Sequence, residues 1–194
     1  MDTVQVLEFE VSDTLQKLSV TKFGGQPDWI DSPQWPLSKE LGKPMRFICQ
    51  ISLQEIGLKE YSGKIAYIFM TEENDEYVDG TWEHDGGENA IIIQPNGSTQ
   101  QPTKAIESGP TRNEFQTFLL NRTIEPDSVE GCRVGGEPAF MQGEEYPEPK
   151  SNWKFFAQLD SCSMPFEVNF GDAGIGYAFI NDEGSQGKFL WQCG

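Results

Sequence analysis

The sequence predicts a mainly β protein, of the β-rich α+β class. Internally duplicated antiparallel β units form one compact domain with few short helices. Three observations carry that expectation. Lys22-Phe23-Gly24-Gly25-Gln26-Pro27-Asp28-Trp29-Ile30 returns, loosely, 111 residues later as Arg133-Val134-Gly135-Gly136-Glu137-Pro138-Ala139-Phe140-Met141. Two more blocks repeat in the same order at nearly the same offset: 44–51 (PMRFICQI) at 152–159 (NWKFFAQL), and 63–70 (GKIAYIFM) at 173–180 (AGIGYAFI). Apolar residues in these blocks alternate with a period of two, and no stretch sustains a helical period. Ordered blocks at a near-constant offset are the mark of a duplicated unit.

Taken in order, residues 3–11 (TVQVLEFEV) read as a strand with Leu7, Phe9 and Val11 on one face. At the 111 offset, Val4-Gln5-Val6-Leu7 falls on Phe115-Gln116-Thr117-Phe118, so each repeat begins with a strand ahead of its Gly-Gly-Pro turn. In that turn Gly-Gly admits positive φ and Pro fixes φ at about −65°, which together redirect a strand. The aromatic that follows, Trp29 or Phe140, is placed to pin the turn onto the core. Residues 31–43 hold Pro33 and Pro36 and run into Pro44, an irregular connection.

Residues 46–53 read as a strand with Phe47, Cys49, Ile51 and Leu53 on one face and Ile48 and Gln50 on the other. Residues 154–159 repeat it with Phe155, Ala157 and Leu159, and 54–60 adds a helical turn. Residues 64–70 are the clearest strand, with Ile65, Tyr67 and Phe69 opposite Ala66, Ile68 and Met70. Its counterpart, 174–180, offers Ile175, Tyr177 and Phe179. Strands at 90–94 (AIIIQ) and 188–192 (KFLWQ) close the two copies. The connection from Met70 to Ala90 is long where that from Ile180 to Lys188 is short, as expected of a surface insertion in one copy. The stretch 96–112, rich in Gly, Pro, Ser, Thr and Gln and holding Lys104 and Arg112, reads as the linker between copies. The organisation expected is a single domain, 1–194, of two pseudo-repeats at about 3–94 and 114–194. Half this length barely offsets chain entropy, so the halves are expected to share one core.

The chain carries 31 acids against 14 bases, a formal net charge of −17. Such a surface repels polyanions, so nucleic acid is excluded as a partner and a basic protein is favoured. Cys49, Cys132, Cys162 and Cys193 form no CxxC pair, which points to reduced thiols in a reducing compartment. No signal segment opens the chain and no apolar run reaches 18 residues, so the expectation is a cytoplasmic protein with no membrane partner.

With Gly24-Gly25-x-Pro27-x-Trp29, Phe47-x-x-Gln50-Ile51, Phe170-Gly171-Asp172-x-Gly174-x-x-Tyr177-x-Phe179 and the closing Trp191-Gln192-Cys193 in view, the chain resembles the YwqG-like family of bacterial domains of unknown function. The resemblance spans most of the chain and implies a duplicated, mainly antiparallel β domain. More distantly, the turn and strand look like those of programmed cell death protein 2 and related ribosomal-protein chaperones. Some relatives carry cysteines between turn and strand. Here 31–44 has none, so a zinc knuckle is not implied. The family brings no activity to carry over.

Candidate chemistry is sparse. His84 is the only histidine, which excludes multi-histidine metal sites, and it reads as a solvated loop residue. Cys49 reads as a small buried apolar residue, with Cys162 and Cys193 near strand ends. From Glu72 to Glu88 there are eight acids and no base, read as a solvated anionic loop. Placing Asp75 at position 1 of a calcium loop puts Tyr77 at position 3 and Gly86 at position 12, where ligands belong, so the motif fails. Asp172, in a Gly-flanked turn, is expected to cap its own backbone. Phosphate-binding GxGxxG and GxxxxGK loops are absent.

The function these features favour is a non-enzymatic intracellular protein-binding module, chaperone-like or immunity-type, with an acidic surface for a basic partner. No catalytic residues, metal ligands or cofactors are assigned. Hot spots are typically Trp, Tyr or Arg, so Tyr77 and Trp82 are the expected anchors, with Asp79, Glu83 and Asp85 around them. The alternative is a divalent-cation-dependent hydrolase built on clustered carboxylates, Asp172 among its candidates.

Overall fold

A computed structural model describes residues 4–12, 20–112, 117–124 and 131–194. Thr3, Phe115, Gln116 and the start of the second expected repeat at 114 lie outside them. The protein is mainly β, as the alternation predicts. The first half supplies β1 (Gln5–Ser12), β2 (Lys22–Phe23), β3 (Trp35–Pro36), β4 (Arg46–Ser52), β5 (Ile65–Met70), β6 (Glu72–Glu73), β7 (Glu76–Tyr77), β8 (Asn89–Gln94) and β9 (Thr103–Lys104). The second supplies β10 (Thr117–Ile124), β11 (Arg133–Val134), β12 (Trp153–Asp160), β13 (Ile175–Asn181) and β14 (Gly187–Gln192). Short 3-10 turns at Lys59–Tyr61 and Lys150–Asn152 are the helical content of the described residues.

Among the described residues ten strands close into a barrel in the order β1, β10, β2, β4, β5, β8, β14, β13, β12, β11 and back to β1. Neighbouring strands are antiparallel throughout. The first strand of each half pairs with the turn strand of the other: β1 with β11, and β10 with β2. Phe118 faces Phe23 as Gln5 faces Val134, so the counterpart of Gln5 is Phe118, two residues beyond the 111 offset. A shift of two keeps every side chain on its face, so the sequence pattern does not register it.

The faces of β4 and β12 differ from the expected alternation. In the pairing of β4 with β5 the register slips between Phe47 and Cys49, leaving Ile48 as a bulge. The pairing of β12 with β13 slips between Phe155 and Ala157, leaving Phe156 at the matching place. One extra residue reverses the parity of everything before it. Phe47 and Phe155 therefore lie on the outer face, while Cys49, Ile51, Ala157 and Leu159 point inward together with the bulged Ile48 and Phe156. On β5 and β13 the expected faces hold.

The barrel interior is one apolar cluster built from both halves, including Phe23, Ile51, Ile68, Ile93, Phe156, Leu159, Ile180 and Phe189. Two smaller clusters cover the outside. Trp29 and Trp35 pack on Tyr67 and Phe69 in the first half, and Phe140 and Tyr146 on Tyr177 and Phe179 in the second. Trp29 and Phe140 thus pin their turns at ring distances of 4.8 Å in both halves. The stretch 96–112 is less a free linker than part of the first cover. Thr103–Lys104 pairs with Trp35–Pro36, the Pro110 carbonyl accepts from the Phe47 amide, and Ile106 joins the outer cluster. The 31–43 connection likewise gains order through β3.

The Gly-Gly-Pro turns are held by the same bonds in each half. Gln50 Oε1 accepts from the Asp28 amide at 2.9 Å, and Gln158 Oε1 from the Ala139 amide at 3.2 Å. The Tyr67 hydroxyl donates to the Asp28 carbonyl at 2.7 Å, the Tyr177 hydroxyl to the Ala139 carbonyl at 2.8 Å. Gln94 Nε2 donates to the Ser32 carbonyl and Gln192 Nε2 to the Gly143 carbonyl. At Gly136, with φ of 68°, a Cβ would stand 2.6 Å from Val4 Cγ2, so the close approach of β1 requires glycine.

Candidate functional site

Residues 71–88 leave the end of β5 and return at β8, and they hold every residue that the sequence marks for binding. The segment opens with a tight hairpin of β6 and β7, in which Asn74 and Asp75 both take positive φ. That is the conformation a two-residue turn of matching twist requires, and Asn and Asp tolerate it.

The expected solvated anionic loop is corrected by the partners these acids find. Glu72 is buried between the Arg46 and Arg112 guanidiniums, with Arg112 Nη2 at 2.9 Å and Arg46 closer still. Burial pushes its carboxyl upward while the Arg46 and Arg112 charges pull it back. Arg112 also reaches Asp75 at 2.8 Å, and Lys43 reaches Glu73 at 2.6 Å. Glu88 is buried and accepts from the Ser38 hydroxyl at 2.6 Å and the Glu40 amide at 2.7 Å. The acids draw these bases and donors from the 38–46 stretch and from Arg112, which no local window on 72–88 contains. Asp79 and Glu83 are the acids whose side chains make no hydrogen bond or ion pair among the described residues.

Tyr77 and Trp82 come together. Their ring centroids are 6.1 Å apart, and both meet Trp191 near the end of β14, at 5.3 and 6.0 Å. The Trp191 amide donates to the Trp82 carbonyl at 3.3 Å, which anchors the segment to the barrel. Tyr77 is 39% and Trp82 36% exposed, while Trp191 is buried with its indole Nε1 unpartnered among the described residues. The five expected binding residues therefore divide. Tyr77 and Trp82 form an aromatic step, and Asp79 and Glu83 are their neighbours along the segment.

Asp85 belongs elsewhere, to a cluster with His84 and Lys188. Its Oδ2 lies 2.7 Å from Lys188 Nζ and 2.9 Å from His84 Nδ1. Burial alone would raise the Asp85 carboxyl, but the hydrogen bonds and charges of Lys188 and His84 together hold it below the usual range. His84 is therefore half-buried and partnered rather than solvated. Lys188 Nζ also sits 5.1 Å over the Trp153 ring. Lys188 and Trp153 are functional candidates that the sequence did not mark, because they lie 104 and 69 positions from His84.

Asp172 is exposed and its turn is capped differently: Asn169 Oδ1 accepts from the Gly171 amide, so the capping side chain is Asn169. The four cysteines are free, and burial pushes the thiols of Cys49 and Cys132 up, that of Cys132 to about 12. Among the described residues no three His, Cys, Asp or Glu side chains converge as a metal ion would need. No helix there is long and apolar enough to cross a membrane.

A family model described as "Domain of unknown function (DUF1963)" matches residues 21–189. No curated protein matches the chain.

Proposed function

We propose, from the premise that the chain belongs to the DUF1963 family of domains of unknown function, that it is a non-enzymatic protein-binding module of the cytoplasm. The partner is a basic protein, and the mode is that of a chaperone or an immunity-type antagonist. One observation carries the reading: Tyr77 and Trp82 are the exposed aromatic side chains of the described residues and form one step, with the unpaired carboxylates of Asp79 and Glu83 on the same short segment. Aromatic anchors supply affinity, and surrounding charge supplies orientation and encounter rate. A net charge of −17 sets up a field that draws a cationic partner and falls off over about 8 Å at physiological salt. The remote resemblance to ribosomal-protein chaperones fits a client rich in Lys and Arg.

The test is capture from native lysate at low and high salt with paired baits. The parent protein should retain basic proteins in a salt-sensitive way. Trp82→Ala should lose them, and Asp79→Asn with Glu83→Gln should weaken them more than two neutralised acids on another face. Capture unchanged by either bait would end the reading. No observation favours the hydrolase alternative.

A further inference from the structure

Two lysines and the single histidine of an acidic protein line one groove. It runs along the seam where the two halves of the barrel meet on the β8 and β14 side. Those two strands share one paired position, Gly187 with Ile91, whereas β5 and β8 pair over six residues. At Gly187 a Cβ would stand 2.4 Å from Ile91 Cγ2, so the strands touch there and part beyond it. The space is about 500 Å³, within the size range of small-molecule sites.

The walls are built rather than incidental. Gln101 Nε2 donates to the Leu37 carbonyl at 2.6 Å and the Gly87 carbonyl at 2.8 Å, tying three segments together. Gly87, at φ of 91°, lets the Lys39 stem cross where a Cβ would meet it at 2.7 Å. Gln186 Nε2 donates to Ser98 Oγ across the far end.

The charge of the lining runs against that of the molecule. Acids outnumber Lys and Arg by 31 to 14 in the whole chain, yet the groove holds Lys39 and Lys188 against Asp85 alone, with the His84 imidazole beside them. The Lys39 ammonium has no hydrogen-bond or ion-pair partner among the described residues. Lys188 is held at 2.7 Å by Asp85, with the Trp153 ring beside it.

We propose that the groove binds a small organic anion, a carboxylate or a phosphate ester, with its charge on Lys39 and Lys188 and its remaining body against Trp153. Asp85 is the built-in competitor that occupies Lys188 when the site is empty. Lysine is a compact cation suited to either head group, and the Ser98 hydroxyl, which accepts from Gln186, keeps its own proton to donate to an anion. This site is separate from the Tyr77 and Trp82 step and stands or falls independently of it.

The experiment is calorimetric titration of the whole chain at low salt with inorganic phosphate, citrate and AMP, and with methyl glucoside as the neutral control. At least one anion should saturate, and the stronger of phosphate and citrate identifies the head group. Lys188→Met and Lys39→Ala should each weaken that anion about tenfold or more, the loss expected on removing one charge-assisted contact. Asp85→Asn should tighten it, because the competing carboxylate is gone. A neutral ligand or a cation held by Asp85 would respond in the opposite sense. Lys39 is exposed, so its variant keeps the fold and carries the test even where Lys188→Met does not. Failure of all three anions to saturate at millimolar concentration overturns the proposal, as does equal binding of methyl glucoside or weaker binding by Asp85→Asn.

Discussion

Tyr67 and Tyr177 show how much of the turn geometry rests on single side-chain atoms. Each ring is fully buried in an outer apolar cluster, and each hydroxyl reaches out of that cluster to a backbone carbonyl one residue past the turn proline. The Tyr67 hydroxyl also accepts from the Ile30 amide at 3.2 Å, an amide that Gln94 Oε1 shares at 3.2 Å, and the Tyr177 hydroxyl likewise takes a backbone hydrogen bond from Met141. Tyr67→Phe and Tyr177→Phe should therefore each cost about 1 kcal/mol, the penalty for leaving the partly buried Asp28 or Ala139 carbonyl without its donor. The double variant should show the sum, since the two tyrosines lie in separate clusters and share no partner. Urea unfolding checks both, and no loss in either variant, or a large coupling between them, would mean that the hydroxyls are not what holds the turns. The role of Gln50 was half legible, because a lone polar residue inside an apolar strand invites a partner. The matching roles of Gln94 and Gln192 were not, since their backbone partners lie about 50 to 60 residues away.

At the scale of elements, the β6–β7 hairpin is held to the barrel by Glu72 as well as by Tyr77, which is open to solvent on one side and meets the Trp191 ring at 5.3 Å on the other. The Glu72 side chain is 2% exposed and the Arg46 and Arg112 side chains 20% and 22%. Removing one partner of a buried pair costs about 3–5 kcal/mol, and partial hydration of the two arginines brings the expectation for Glu72→Ala to about 2–3 kcal/mol. Arg112→Ala should cost less, because Arg46 still pairs with Glu72. A thermal-unfolding series ordered the other way would show that the hairpin is held by something else. The sequence displayed these acids without their bases, so what the fold assembles as an ion-pair network reads there as a solvated anionic loop. The bulges were hidden for a related reason. Phe47-Ile48-Cys49 and Phe155-Phe156-Ala157 are three-residue apolar runs that break alternation, and a reading of strict period two assigns the wrong face to the phenylalanine in each.

For the molecule as a whole, the decisive feature is that the halves are closed by each other. Strand content, the recurring turns and the order of blocks were legible because each is a local pattern repeated at a fixed offset. Barrel closure was not, because it depends on β1 reaching β11 and β10 reaching β2, and no local pattern encodes which edge a strand will meet. Cut at the end of the 96–112 stretch, residues 1–112 would keep β2, β4, β5 and β8 as one sheet but lose β10 from one edge and β14 from the other. The interior cluster would lose Phe156, Leu159, Phe170, Ile180 and Phe189, so Phe23, Ile51 and Ile68 would face water. A fragment of that size buries too little to offset its chain entropy, and its bare edges would favour association. We expect 1–112 and 113–194 expressed separately to show no cooperative unfolding transition. Mixed at equal concentration, they should recover a concentration-dependent transition, because the missing strands return to the same edges. Circular dichroism melts with size-exclusion chromatography decide the matter. A monomeric, cooperatively melting 1–112 would mean that the first half closes on itself, and that the exchanged pairing of β1 and β10 is not what completes the barrel.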